Sequence, residues 1–133
     1  MLNRGMCWGV TGNVVLMAGM ALAGPVGPEF LVNTYINYQW NSSAGMDALG
    51  NFVIVWESFG QDTSNSRGVY AKRFNASGIV LGSDFRVNTE ISDDQTNAVV
   101  GMNPSGSFVI VWQSTNQDDN SEGIYAQRYD ASG

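Results

Sequence analysis

The chain repeats itself, and this internal repeat constrains the fold more than any other feature of the sequence. Residues 52–56 (Phe-Val-Ile-Val-Trp) return unchanged 56 positions later as residues 108–112. Residues 68–78 return 55 positions later, with conservative changes, as residues 123–133. Ordered matches at nearly constant spacing are not a chance effect. They indicate two tandem units, with the changes in length confined to loops.

Each unit is predicted to contain four short β-strands. In the second unit the predicted strands are residues 85–88, 98–100, 108–112 and 124–129, and residues 30–33 match the first of these. The run at 108–112 is apolar throughout, which predicts a strand buried on both faces. Turn sequences rich in Asn, Ser, Gly and Pro separate the strands. Because residues 24–133 show no helical periodicity with caps, we predict an all-β fold.

The unit is typical of a β-propeller blade, in which four antiparallel strands form one sheet and neighbouring blades cover its faces. A β-sandwich or an open repeat stack is the alternative. We prefer blades because a sandwich does not require one unit to repeat. We place the first β-repeat at residues 24–81 and the second at residues 82–133. Since propellers use about four to eight blades, we expect the second repeat to be incomplete and the chain to belong to a longer array or to assemble with copies of itself.

Residues 1–23 are predicted to be a signal peptide with a helical apolar region. Arg4 provides a positive start, residues 6–20 are mostly apolar, and Ala21-Leu22-Ala23 matches the small-x-small pattern of a cleavage site. The alternative is an uncleaved anchor, because no charged residue lies between Arg4 and Glu29. We expect export with cleavage, and therefore a secreted, extracellular or cell-surface protein.

The charge balance excludes several classes of function. The sequence has 6 Lys and Arg residues, 12 Asp and Glu residues and no histidine. An acidic chain lacks the basic patch that nucleic-acid binding needs, and it is repelled by anionic membranes. The absence of histidine excludes zinc sites and catalytic triads that use it. The only cysteine, Cys7, lies in the signal segment, so the exported part cannot form a disulfide.

A family resemblance rests on the repeated motifs at residues 85–89, 106–112 and 124–133. They resemble the tandem repeats, about fifty residues long, of large secreted bacterial proteins described as calcium-binding or adhesin-like. Those proteins often carry hemolysin-type calcium-binding nonapeptides or cadherin-like modules. The resemblance covers residues 29–133 and implies extracellular placement and a structural or adhesive role, with no catalytic residues. This chain lacks the Gly-Gly-x-Gly-x-Asp nonapeptide, which puts the family's calcium site in doubt here.

The acidic loop before the last predicted strand is a candidate calcium site. Asp118, Asp119 and Glu122 supply the hard oxygen ligands that calcium prefers. The alternative is a solvated loop whose side chains bond the local backbone. We favour that alternative because the matching loop in the first unit keeps only Asp62 as a carboxylate.

Aromatic residues form a second candidate site in the first unit alone. Tyr35, Tyr38 and Trp40 correspond to Glu90, Asp93 and Thr96 of the second unit. Exposed aromatic rings on a β-scaffold could stack against sugar rings and bind extracellular glycans. They could equally cover the uncapped edge of the first blade, which we favour because large aromatic side chains dominate core and interface burial.

The sequence therefore predicts a non-catalytic, secreted β-repeat scaffold or adhesion protein of the bacterial surface or matrix. We find no nucleophile motif, phosphate-binding glycine loop or metal triad, and we predict neither an enzyme nor a resident cofactor, although calcium stays open. An extracellular carbohydrate- or calcium-binding module is a competing hypothesis, and the N-terminal part of a propeller hydrolase is a third. The expected partners are further repeats, copies of the chain or glycans.

Overall fold

The computed structural model describes residues 24–119 and 121–133, and this part of the chain is all-β. The predicted signal segment at residues 1–23 lies outside the described residues. The first antiparallel sheet has the order β1 (Gln39–Met46), β2 (Phe52–Phe59), β3 (Arg67–Phe74) and β4 (Phe85–Arg86). The second has the order β5 (Gln95–Met102), β6 (Phe108–Thr115) and β7 (Glu122–Tyr129). The described part contains no helix long and apolar enough to cross a membrane.

The predicted all-β class and the two antiparallel sheets are confirmed, but the strands are divided differently. The second sheet has three strands, and residues 30–33 belong to no strand. The predicted strand at residues 85–88 opens the second repeat in the sequence, yet β4 pairs with β3 and closes the first sheet. The reason is local: turns after β3 reverse the chain, so that β4 returns antiparallel to the strand that precedes it.

The two units share backbone details as well as sequence. Both first strands contain a bulge, between Trp40 and Ser43 and between Thr96 and Val99. In each bulge an asparagine has a positive φ, 48° at Asn41 and 55° at the matching Asn97. The repeat in the sequence is therefore a repeat of backbone geometry.

The hairpin turn between β5 and β6 provides a test of this geometry. Gly106 has a φ of 92°, and a Cβ added there would lie 3.1 Å from the Cβ of Ala131. We expect Gly106→Ala to lower the free energy of unfolding by about 1–2 kcal/mol, because only glycine adopts this backbone conformation without strain. Gly101→Ala is the control, since its Cβ would meet Val109 at 3.8 Å and needs no positive φ. Equal unfolding midpoints in urea for the two variants would contradict this prediction.

The sheets pack face to face through a single apolar core. Paired residues of antiparallel strands share a face, so that one side of the first sheet presents Val53, Val55, Val69 and Ala71. We call this side the covered face. It packs against the second sheet, whose buried apolar residues are Ala98, Phe108, Ile110 and Trp112.

The other side of the second sheet, which we call the open face, presents the apolar residues Val99, Val109, Val111, Ile124 and Ala126 together with the polar Gln113 and Arg128. The apolar residues other than Val99, which stands where the first unit has Ser43, have counterparts on the covered face of the first sheet, but no described residue packs over them as a third sheet. Val69 is 0% exposed, whereas its counterpart Ile124 is 74% exposed. Burial of the 108–112 strand on both faces is thus wrong for the described chain, because Val109 and Val111 are only half-buried.

Candidate functional site

The predicted calcium ligands lie in the loop between β6 and β7 and in the first residue of β7. The Glu122 carboxylate accepts a hydrogen bond from the Gln113 side chain. The Asn116 N–H donates to the Ser121 carbonyl at 2.9 Å, and the Ser114 hydroxyl donates to the Gln117 side chain at 2.8 Å. Hydrogen bonds of the loop's own residues therefore organise this region.

The structure does not assemble these carboxylates into a metal centre. Within residues 24–119 and 121–133, no group of three or more Asp, Glu, His or Cys side chains lies close enough to hold a metal ion. Calcium binding by Asp118, Asp119 and Glu122 stays a prediction. We expect millimolar calcium to leave the thermal unfolding midpoint unchanged, because Glu122 already bonds Gln113. A calcium-dependent increase that is lost in Asp119→Asn would contradict this expectation, since a ligand of the folded state raises the midpoint.

Asp62, the counterpart of Asp118, has a structural role. Its buried carboxylate accepts hydrogen bonds from the Tyr70 hydroxyl and, at 2.7 Å, from the Asn88 side chain. The Arg86 guanidinium lies 3.7 Å away. Burial and the hydrogen bond to Asp62 raise the pKa of Tyr70 well above its ordinary value. The Asp62 carboxylate therefore holds β3 and β4 together.

The aromatic residues predicted as a sugar site are only partly brought together. The rings of Tyr38 and Trp40 stack with centroids 5.7 Å apart and an interplanar angle of 13°. Tyr38 is 67% exposed and Trp40 is 43% exposed. Tyr35 is held separately, because its hydroxyl donates to the Gly60 carbonyl at 2.8 Å. The exposed aromatic surface therefore consists of Tyr38 and Trp40.

A cavity of about 500 Å³ opens beside this stack. Its lining includes Trp40, Ile54, Trp56 and residues 30–33. The Trp56 indole N–H is buried and has no hydrogen-bond acceptor in the part of the chain that the structure describes. The matching indole of Trp112 donates to the Gln95 side chain at 3.0 Å. The cavity thus combines apolar walls with the polar side chains of Asn33, Gln39, Asn41 and Ser42.

Residues 30–34, which we call the N-terminal segment, form one wall of this cavity. The Phe30 ring packs 5.4 Å from the Phe74 ring. The Lys72 ammonium donates to the Val32 carbonyl at 2.8 Å, and both the N–H and the hydroxyl of Thr34 donate to Asp84. The segment lies across the front face of the first sheet, which presents Ile54, Trp56, Tyr70, Lys72 and Phe74.

The ion pair that anchors the N-terminal segment is buried. The Lys72 nitrogen lies 2.7 Å from an Asp84 oxygen, and the side chains are 7% and 6% exposed. Burial raises the pKa of Asp84, but the hydrogen bonds from Lys72 and Thr34 lower the pKa by more than burial raises it. The pKa of Asp84 therefore lies below its ordinary value. Asp84 is therefore ionised at neutral pH and fixes the segment through its charge.

A second buried carboxylate joins the two sheets. Glu57 is 0% exposed and accepts hydrogen bonds from the Asn41 side chain and the Asn97 backbone N–H, both at 2.7 Å. Arg67 lies 3.5 Å from Glu57 and 2.6 Å from Asp94. Because Asn97 lies in the bulge of β5, this network fixes the position of the second sheet on the first.

These two charge networks were not predicted from the sequence. Their signal was present in the comparison of the units: Glu57, Arg67 and Lys72 stand where the second unit has Gln113, Glu122 and Gln127. A strand position whose charge is absent from the other unit, as at Glu57 and Lys72, or reversed there, as at Arg67, indicates a contact that only this unit makes. The buried carboxylates of Glu57, Asp62 and Asp84 all have structural partners, and none faces a cavity with a second free acid, as acid–base chemistry on a glycoside requires.

Known proteins give no further guide to this surface. Neither a protein family, nor a curated protein, nor a solved structure matches the chain.

Proposed function

We propose that the protein is a non-catalytic, secreted β-repeat scaffold or adhesion module of the bacterial cell surface or extracellular matrix, with blade-like units. This proposal rests on the observation that the residues repeated in the sequence form the packing contact between the two sheets. The recurring apolar residues stack one sheet on the next, with Ile110 and Trp112 packed against Val53 and Val55. Repeats of this kind build extended surfaces by adding units.

The polar residues support the same proposal. The buried ion pair of Lys72 with Asp84 and the network around Glu57 hold chain segments and sheets in place. Removal of one partner from a buried ion pair is strongly destabilising, which fits a structural role for these charges. A scaffold or adhesion role accounts for these buried charged residues without assigning them a catalytic reaction.

Surface exposure in cells tests the predicted location. The full chain is produced in a bacterial host, and intact cells are treated with an external protease. We expect the protein to be degraded while a cytosolic marker stays intact. Protection of the chain until the cells are lysed would overturn the proposed location. A version lacking residues 1–23 is the matched control and is expected to stay protected.

Adhesion is tested with the purified protein on beads. Beads coated with the folded chain are expected to retain bacterial cells or extracted matrix polysaccharide more than beads coated with heat-unfolded chain. Equal retention by both coatings would contradict an adhesive role and leave only that of a scaffold.

Binding of a carbohydrate is the second candidate, and the Tyr38–Trp40 stack favours it. The ring of Trp40 stacks on Tyr38 and lines the cavity together with the polar side chains of Asn33 and Gln39. Aromatic rings beside polar side chains offer a sugar both an apolar surface and hydrogen bonds. On a glycan array, Trp40→Ala is then expected to abolish binding, and Ile36→Ala, at an exposed neighbouring position, to preserve it. Binding that survives Trp40→Ala would contradict this candidate.

A further inference from the structure

We propose that the open face of the second sheet and the outer edge of β7 bind a second copy of this chain, which contributes its N-terminal segment as a fourth strand and its front face as a cover. The copies thus associate head to tail. The inference goes beyond the proposed function and does not depend on where the protein acts, because it follows from the equivalence of the two units.

The strand β4 shows what such a segment does within one chain. It pairs with the edge of β3, with Ala71 opposite Phe85 and the Val87 N–H donating to the Val69 carbonyl at 2.8 Å. It also packs on the second sheet, where the Phe85 ring lies 5.5 Å from the Tyr129 ring. A single segment therefore completes one sheet and covers the next.

The N-terminal segment performs only the second of these tasks. Its sequence, Phe-Leu-Val-Asn-Thr, precedes the matching Phe-Arg-Val-Asn-Thr by 55 positions. Phe30 packs on Phe74 at 5.4 Å, just as Phe85 packs on Tyr129. The segment nevertheless pairs with no strand of the described chain. In the proposed contact, this segment becomes the fourth strand of a sheet that belongs to another copy.

The outer edge of β3 is paired with β4, whereas the outer edge of β7 has no partner strand among the described residues. The Asn88 side chain accepts a hydrogen bond from the Val69 N–H and donates one to Asp62, both at 2.7 Å. The matching positions on the second sheet are Ile124 and Asp118, and within the described residues β7 pairs only with β6. An unpaired strand edge is a template for strand addition. Asn33 of a second copy is the residue that corresponds to Asn88.

The open face of one copy and the front face of another are complementary because the two repeat units are equivalent. The open face repeats the residue types of the covered face, with Val109, Val111 and Ala126 in place of Val53, Val55 and Ala71. The front face presents Ile54 and Trp56, the counterparts of the Ile110 and Trp112 side chains that already fill the covered face. The cavity lined by Ile54 and Trp56 of the second copy is the space that the open face of the first copy would fill.

The ion pair between the two sheets of one chain has a different counterpart at the proposed contact between copies. Between the sheets of one chain, Arg67 pairs with Asp94. Glu122 matches Arg67, and Tyr38 takes the backbone place of Asp94, because the Tyr38 carbonyl accepts the Phe59 N–H as the Asp94 carbonyl accepts the Thr115 N–H. This register differs by one residue from the sequence match of Tyr38 with Asp93, and Tyr38 is 67% exposed. A carboxylate and a phenol hydroxyl form a hydrogen bond, so that contact between copies keeps a donor and an acceptor where the chain has an ion pair. The exposed aromatic residues thereby acquire an interface role.

A head-to-tail contact uses different surfaces on the two copies, so it continues into a ring or a filament. A contact of β7 with β7 of another copy would instead be symmetric and would stop at a dimer. The match between the N-terminal segment and β4 favours the first arrangement.

Disulfide trapping tests the register of this contact. The full chain carries Cys7→Ser, which removes its only cysteine, and either Val32→Cys or Ile124→Cys. These positions correspond to Val87 and Val69, which are opposed in the first sheet, and opposed residues have Cα atoms about 5.5 Å apart, within disulfide range. A mixture of the two variants is expected to form a disulfide between positions 32 and 124, identified by mass spectrometry after non-reducing electrophoresis.

A mixture of Val32→Cys with Ile79→Cys is the control and is expected to remain monomeric, because Ile79 is exposed in the turn after β3. Absence of the 32–124 disulfide at concentrations where the control also remains monomeric would overturn the proposal. A dimer that forms from Ile124→Cys alone, by pairing of two β7 edges, would overturn it as well.

Sedimentation velocity of the chain without introduced cysteines provides an independent measurement. The apparent mass is expected to rise with concentration, and Ile124→Asp is expected to weaken this association at least about tenfold, because it buries an unpaired charge. Ile79→Asp, which adds the same charge at an exposed turn, is expected to associate normally. A monomer at all concentrations, or equal effects of the two variants, would overturn the proposal while leaving the surface-exposure and bead assays unaffected.

Discussion

Replacing Glu57 by alanine is expected to lower the free energy of unfolding by about 3 kcal/mol. The carboxylate is fully buried between the sheets, where it accepts hydrogen bonds from Asn41 and from the backbone N–H of Asn97. Alanine leaves both donors without an acceptor and also removes the contact of Arg67 with a buried negative charge. Urea unfolding followed by tryptophan fluorescence measures the loss.

The second repeat supplies the control substitution, because Gln113 occupies the position that matches Glu57. There the Gln113 oxygen accepts a hydrogen bond from the Asn97 side chain at 2.8 Å, as Glu57 does from Asn41. Glu57→Gln keeps the acceptor and loses only the ion pair with the half-exposed Arg67, so we expect a loss of about 1 kcal/mol or less. If Glu57→Gln were as destabilising as Glu57→Ala, charge rather than hydrogen bonding would hold the sheets together.

Replacing Lys72 by methionine is expected to lower the free energy of unfolding by about 3 kcal/mol and to release the N-terminal segment. Methionine preserves the apolar stem but leaves the Asp84 carboxylate buried without its cation. The Val32 carbonyl loses its donor in the same step. Amide hydrogen exchange is expected to rise in residues 30–34 more than in β6. Lys72→Arg, which keeps the charge, is the control, and unchanged exchange in Lys72→Met would contradict the proposed anchor.

The pH dependence of stability follows from the direction of the pKa shifts. Burial raises the pKa of both Asp84 and Asp94, but the hydrogen bonds from Lys72 and Thr34 and those from Arg67 lower these pKa values below the ordinary range. A carboxyl group with a depressed pKa contributes its full stability above the unfolded pKa of about 3.9 and loses it as the pH falls through the folded pKa. We therefore expect the unfolding free energy to be nearly constant from about pH 7 to pH 5 and to fall below about pH 4.

The Lys72→Met variant isolates the contribution of Asp84 to this pH dependence. Without the ammonium group the folded pKa of Asp84 rises, so the variant loses less stability on acidification than the unmodified chain. The difference in unfolding free energy between the two proteins is expected to narrow below about pH 4. A difference that stays constant down to about pH 2, below the unfolded pKa of the carboxyl group, would show that Asp84 does not respond to Lys72.

The strands could be predicted from the sequence because their signals are local. The apolar run at 108–112 and the turn sequences around it mark β6, and its unchanged return at 52–56 marks β2. The pairing of β4 could not be predicted in the same way. Residues 85–88 have the pattern of a strand, but whether they join the sheet before or after them depends on the path of the chain through the preceding turns.

The candidate site was predicted less well, because its polar contacts join residues distant in sequence. Glu57 meets Asn97, and Lys72 meets both Val32 and Asp84. No local pattern indicates such pairs in one sequence. The stacking of Tyr38 on Trp40 and the separate bond of Tyr35 to Gly60 also depend on how the first strand enters its sheet.

The sequence by itself determined that the chain contains two equivalent β-units, because periodicity and turn chemistry act over a few neighbouring residues. Only the tertiary structure decided which copy of each equivalent surface is buried. Val69 and Ile124 have nearly the same side chain and the same place in their strands, yet one lies in the core and the other in solvent. Burial depends on the neighbouring sheet, and a residue's own sequence context carries no information about whether that neighbour is present.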